Sequence, residues 1–105
     1  MTIRIAAPDT AKKGEVIEIK ALIQHPMETG YRSDSKGKEI PRDIITEFEC
    51  SYDGETVFAA NFFPAIAANP FLTFYTKATT SGTLEFTWTD QDGESWSETH
   101  DLTVE

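Results

Sequence analysis

The stretch TLEFTWT, residues 83–89, decides the fold. Leu84, Phe86 and Trp88 fall on one parity, and Glu85 and Thr87 on the other. A period of two describes a strand with one dry face and one wet face. Residues 44–52 repeat it: Ile44, Thr46, Phe48, Cys50 and Tyr52 face one way, and Glu47, Glu49 and Ser51 the other. In residues 15–24, Ile17, Ile19, Ala21 and Ile23 share a face. Glu18 and Lys20 point away from it, flanked by Val16 and Leu22. Ile3 and Ile5, alternating with Arg4, make a short first strand that Pro8 ends.

Turn chemistry separates these runs. Residues 9–14 read as a turn, as do 79–82 and 90–93. Asp53-Gly54 marks a tight hairpin into residues 55–60. Residues 71–78 suit a strand. In the last run, 94–105, Trp96, Leu102 and Val104 are expected to point inward. His100 shares their parity, and a bend or bulge there is expected to re-aim it. The sum is about seven strands with no long helix, spaced like an immunoglobulin-like antiparallel β-sandwich. The fold class is therefore all-β, and residues 1–105 make a single domain.

Composition narrows the function. A net charge of -9 argues against nucleic acid and against anionic membranes as partners. Eight of the nine Lys/Arg lie in residues 1–43, so the rest of the chain is almost purely acidic. That asymmetry reads as solvated strand faces, or as a face that steers a basic partner. No apolar run approaches the roughly 20 residues of a membrane span. The start, MTIRIAAPDT, lacks the apolar core of a signal peptide. Taken alone, these features predict a soluble, cytoplasmic protein.

Two segments break the alternation. Residues 25–43, HPMETGYRSDSKGKEIPRD, are long for a connector, and such loops are often functional. Residues 61–75, NFFPAIAANPFLTFY, hold no charge in a chain that is 26% charged, and four of its seven Phe. Pro64 and Pro70 keep any long helix out. The apolar loop either tucks into the core or covers itself with a partner.

No catalytic constellation stands out. Cys50 is the only cysteine, which excludes an internal disulfide and a cysteine zinc site. Its parity with Phe48 and Tyr52 makes it a buried small hydrophobe; the alternative is a nucleophile. His25, near Glu28 and Asp34, matches no metal-ligand spacing, and His100 has no better one. There is no G-x-S-x-G elbow and no Gly-rich phosphate loop. The expectation is no catalytic residue, no metal and no cofactor.

The segments IQHPMETG (23–30) and NFFPAIAANPF (61–71) resemble the SoxZ family. IPRDIITEFEC (40–50), FTWTD (86–90) and the length extend the resemblance over nearly the whole chain. It implies an immunoglobulin-like sandwich that pairs with SoxY, the subunit whose C-terminal Gly-Gly-Cys-Gly-Gly arm carries sulfur intermediates in thiosulfate oxidation. Through SoxY it meets other Sox enzymes. The end of this chain, HDLTVE, has no such arm, which fits the non-carrier role. The resemblance also implies a periplasmic location, reached by export with SoxY and its twin-arginine signal.

The expected partner interface is His25, Pro26, Met27 and Tyr31 from the long loop, with Phe62, Phe63, Pro64, Ile66, Pro70 and Phe71 from the apolar one. Without SoxY, a homodimer through the apolar loop is expected. Two other classes stay open: a Cys50 sulfur transferase with His25 or His100 as base, and a recognition module binding carbohydrate through exposed Trp88 or Trp96.

Overall fold

Each alternating run forms a strand whose even or odd positions are dry. The computed structural model describes residues 2–62 and 68–105. The strands are β1 (Ile3–Ala6), β2 (Thr10–Ala11), β3 (Val16–Ile23), β4 (Ile45–Tyr52), β5 (Glu55–Asn61), β6 (Phe71–Lys77), β7 (Gly82–Asp90) and β8 (Ser95–Val104). They build a three-stranded sheet, β1-β3-β6, packed on a five-stranded sheet, β2-β8-β7-β4-β5. The described residues contain no helix, so the all-β sandwich expected from the alternation is the fold.

The core lies between the sheets. Trp88, Phe86 and Leu84 from β7 meet Phe48 and Cys50 from β4, all at most 1% exposed. Opposite them lie Ile17, Ile19, Ala21 and Ile23 of β3. Phe48 joins the layers: its ring centroid is 5.0 Å from Trp88 and 5.9 Å from Phe74 on β6. Phe58 of β5 stacks on Phe74 at 4.4 Å and 8°, closing the side where β5 and β6 run together. Each such ring buried contributes about 1.5–3 kcal/mol.

Four details differ from the reading of the sequence. Among the described residues there are eight strands, because Thr10–Ala11, inside the expected turn, pairs with Thr103 and Val104. That pairing is parallel, so the sandwich is not antiparallel throughout. Ile44 and Ile45 are both buried, against simple alternation. The β4–β7 register shifts between Ile45 and Glu47, and a bulge of this kind turns two successive side chains inward. The expected re-aiming of His100 does not occur. β7 and β8 pair without a shift from Gly82↔Leu102 to Thr89↔Ser95. His100 stays half-buried, its Nε2 3.1 Å from the Pro8 carbonyl and 3.3 Å from Asp9 Oδ1.

The Asp53-Gly54 hairpin is as read. Both residues take positive φ, 51° and 84°, which is the two-residue turn whose twist suits paired strands. Tyr52, just before it, reaches out of the sheet. Its hydroxyl accepts the N–H of Thr79 and of Thr80, each at 3.2 Å, and donates to the Thr80 carbonyl. One phenol thereby holds the β6–β7 turn.

Candidate partner-binding end of the sandwich

The two irregular segments are both crossovers between the sheets. One joins β3 to β4 and the other β5 to β6, and they meet at the same end. His25 is where they join. It is 3% exposed, and its backbone N–H donates to Asn69 Oδ1 at 2.9 Å. The Asn69 N–H returns a bond to the His25 carbonyl at 2.7 Å. The His25 Nδ1 accepts the Met27 N–H at 3.0 Å, so the ring proton sits on Nε2, which faces Asp43 Oδ1 at 3.5 Å. Trp96 packs edge-on to the imidazole at 6.3 Å.

Met27 completes the knot. It takes a positive φ of 51° and buries its side chain to 4% exposure. Its Sδ accepts the Ile45 N–H at 3.3 Å, beside the β4 bulge. Residues 28–43 then form a small arm. Glu28 and Asp43 exchange two backbone bonds, and Ser33 bridges Glu39. The Arg32 guanidinium grips Glu28 through two nitrogens. That hydrogen bond holds the Glu28 carboxyl below its ordinary range and the guanidinium above its own. Gln91 ties the arm's base to the β7–β8 turn, accepting from Arg42 Nε and donating to the Arg42 carbonyl.

The expected interface residues divide by burial. His25, Met27, Phe62 and Pro70 are buried within the chain itself. Phe62 also donates its N–H to the Thr46 carbonyl at 2.7 Å. Pro26, Tyr31 and Phe71 are exposed, Tyr31 to 89% and Phe71 to 55%. Phe63, Pro64 and Ile66 lie outside the described residues. Phe71 borders a shallow groove of about 330 Å³, lined by Arg4, Ile5, Ala6, Lys20 and Leu22. Farther along the same sheet face lie Val16, 64% exposed, and Tyr75, 60% exposed. The Tyr75 hydroxyl donates to Glu18 Oε2 at 3.1 Å, which pushes its pKa up. The alternation had put Val16 on the wet face of β3, and there it lies. Tyr75, whose facing the sequence reading left unassigned, is the exposed aromatic that it missed.

The groups that suggested chemistry are scattered. Cys50 is fully buried, and burial, aided by Glu49, pushes its thiol up to about 12. Its Sγ lies 3.8 Å from the Ser51 carbonyl, and neither histidine bonds to it. Among the described residues no three His, Cys, Asp or Glu converge on a point where a metal would sit. Trp88 is 0% exposed, which removes it as a carbohydrate platform. Trp96 is half-buried against His25.

Comparison with known proteins gives the following. A family model described as "Sulphur oxidation protein SoxZ" matches residues 3–101. No curated protein matches the chain in sequence. Among solved structures, a superoxide reductase (neelaredoxin) from Ignicoccus hospitalis is 20% identical with a TM-score of 0.73, over 100% of this chain and 81% of that one. A putative superoxide reductase from Thermotoga maritima is 21% identical with a TM-score of 0.75, over 98% and 85%. The sulfur carrier protein SoxY from Chlorobium limicola f thiosulfatophilum is 14% identical with a TM-score of 0.69, over 98% and 78%. At these identities the structural matches concern the fold.

Proposed function

The chain belongs to the SoxZ family of sulphur oxidation proteins, and on that premise we propose that it is the non-catalytic subunit that binds SoxY. In this reading SoxY carries the covalent sulfur intermediates, and this chain gives it a rigid platform in the periplasm. Other Sox enzymes are met through SoxY.

The observation that carries the reading is a contrast within the crossovers. His25 is bonded to Asn69 of the other crossover and to Met27 of its own, and Met27 and Phe62 are spent inside the fold. Phe71 and Tyr31, at the same end, keep most of their surface in water. Aromatics held out on a rigid frame are the side chains that most often anchor an interface. The buried thiol adds support. A group with its pKa near 12 is almost wholly protonated at neutral pH, and the protonated thiol is not the nucleophile.

The test is reconstitution. The chain is mixed with SoxY, the mass of the complex is read by light scattering, and thiosulfate oxidation is followed with the remaining Sox enzymes. A one-to-one complex that supports turnover, and still does so with Cys50→Ala, is the expected result. An intact complex that loses turnover with Cys50→Ala would make this chain a sulfur transferase instead.

A further inference from the structure

Among the described residues the two sheets end on β1, β6, β2 and β5, and β2 pairs only Thr103 and Val104 of β8, so the rest of β8, which carries Glu98 and Asp101, is an edge as well. These edges are not alike. Unpaired edges are sites of association, so natural proteins blunt them with brevity, charge, proline or bulges. β1 is four residues long and carries Arg4. β2 is two residues long and is followed at once by Lys12 and Lys13. β5 is broken by a register shift opposite Cys50 and Ser51, where Val57 is the extra residue. β6 has none of these devices before its last residue. It runs seven residues, FLTFYTK, and pairs with β3 without a shift from Leu22↔Phe71 to Val16↔Lys77. Residues 71–76 bear no charge.

The same strand shows two large exposed aromatics, Phe71 and Tyr75, with exposed Thr73 between them. A strand laid along this edge would cover both rings. It would bond the main-chain groups of β6 that its pairing with β3 leaves unused, the mode in which one sheet extends into a partner. Charge marks the same sheet. The strands of the five-stranded sheet hold carboxylates and no Lys or Arg. Arg4, Lys20 and Lys77 lie on the three-stranded one. In a chain of net charge -9, this sheet is the one that an acidic or neutral partner approaches without repulsion.

We propose that SoxY adds an edge strand of its own sandwich to β6, so that the three-stranded sheet continues into the partner. This rests on the reading of the chain as a SoxY-binding subunit. The occupant follows from likeness of fold: the Chlorobium SoxY superposes on 98% of this chain and so presents sheet edges of the same kind. Two like sandwiches joined through equivalent edges are related by an approximate two-fold axis, the commonest way for similar subunits to close. On this geometry the β6 strand and its counterpart run antiparallel.

The test is hydrogen exchange by mass spectrometry on the full chain, free and bound to SoxY, read on peptides spanning β6, β5 and β1. Binding is also measured for Phe71→Lys and Tyr75→Lys, with Ala59→Lys on β5 and Arg4→Glu on β1 as comparisons. Protection confined to β6, with SoxY affinity reduced about tenfold or more by the β6 variants alone, is expected. Each variant must melt like the parent chain. Tight binding with unchanged β6 exchange would overturn the proposal and leave the SoxY reading standing. So would β6 protection in the free chain with a dimer mass, which would assign the edge to a second copy. Failure of the parent chain to bind SoxY at all would instead remove the reading on which the proposal rests.

Discussion

Asn69 and His25 lie 44 positions apart and hold each other by two hydrogen bonds, His25 N–H to Asn69 Oδ1 and Asn69 N–H to the His25 carbonyl. The pair fastens one sheet crossover to the other. Asn69 takes a positive φ of 53°, a conformation that asparagine tolerates better than most residues. Asn69→Ala leaves the buried His25 N–H without an acceptor and strains the backbone. It should cost about 1–3 kcal/mol in urea denaturation. Asn69→Asp keeps the oxygen and should cost less. Equal stability of Asn69→Ala and the parent would show that the pair bears no load.

The imidazole of His25 is a neutral Nε2–H tautomer by its contacts, since Nδ1 accepts from Met27. Nitrogen-detected NMR of the two ring positions should show a protonated Nε2 and a bare Nδ1 at neutral pH. The opposite pattern would rule out the Met27 bond and with it the knot around the β4 bulge.

Tyr52 holds two backbone donors and one carbonyl of the β6–β7 turn with a single oxygen. Tyr52→Phe keeps the ring and removes that oxygen. A loss of about 1–3 kcal/mol is expected, with faster exchange of the Thr79 and Thr80 amides. Unchanged exchange at both would mean that water replaces the phenol.

Cys50 carries a pH dependence with a definite sign. In the unfolded chain a thiol ionises near about 8.5. In the fold, burial and Glu49 push it up to about 12. Below the unfolded value both states hold the proton and the contribution is constant. As pH rises from there toward about 12, only the unfolded state releases it, so stability falls. Cys50→Ala should flatten that part of the stability profile. Iodoacetamide at pH 8 should label the urea-unfolded chain quickly and the native chain hardly at all. Rapid native labelling would contradict the burial.

Phe62 and Phe71 bracket the apolar loop with opposite exposures, 6% and 55%. Phe62→Asp should unfold the chain, because it places an unpaired charge in the core. Phe71→Asp should leave the melting temperature within a few degrees and weaken SoxY binding. If Phe71→Asp lowered the melting temperature as far as Phe62→Asp, Phe71 would be a core residue and not an anchor.

What the sequence determined by itself is the sandwich and its two exceptions. The period of two in β3, β4 and β7 sorts core from surface almost residue by residue, because successive side chains of a strand must take opposite faces. The Asp53-Gly54 turn was legible for a similar reason: few residue pairs accept two positive φ values. The segments 25–43 and 61–70 announced themselves as the places where that period stops.

Which of their residues face water was decided only by the tertiary structure. Met27 has the look of an interface side chain, yet its sulfur is used by a backbone N–H freed at a bulge in another strand. His25 carries no local sign of Asn69, since hydrogen bonds across 44 positions leave no periodic trace. β2 is two residues long and exists only because β8 passes beside it. Nor does local pattern show which strand is left as a bare edge, because an edge is defined by the neighbour it lacks.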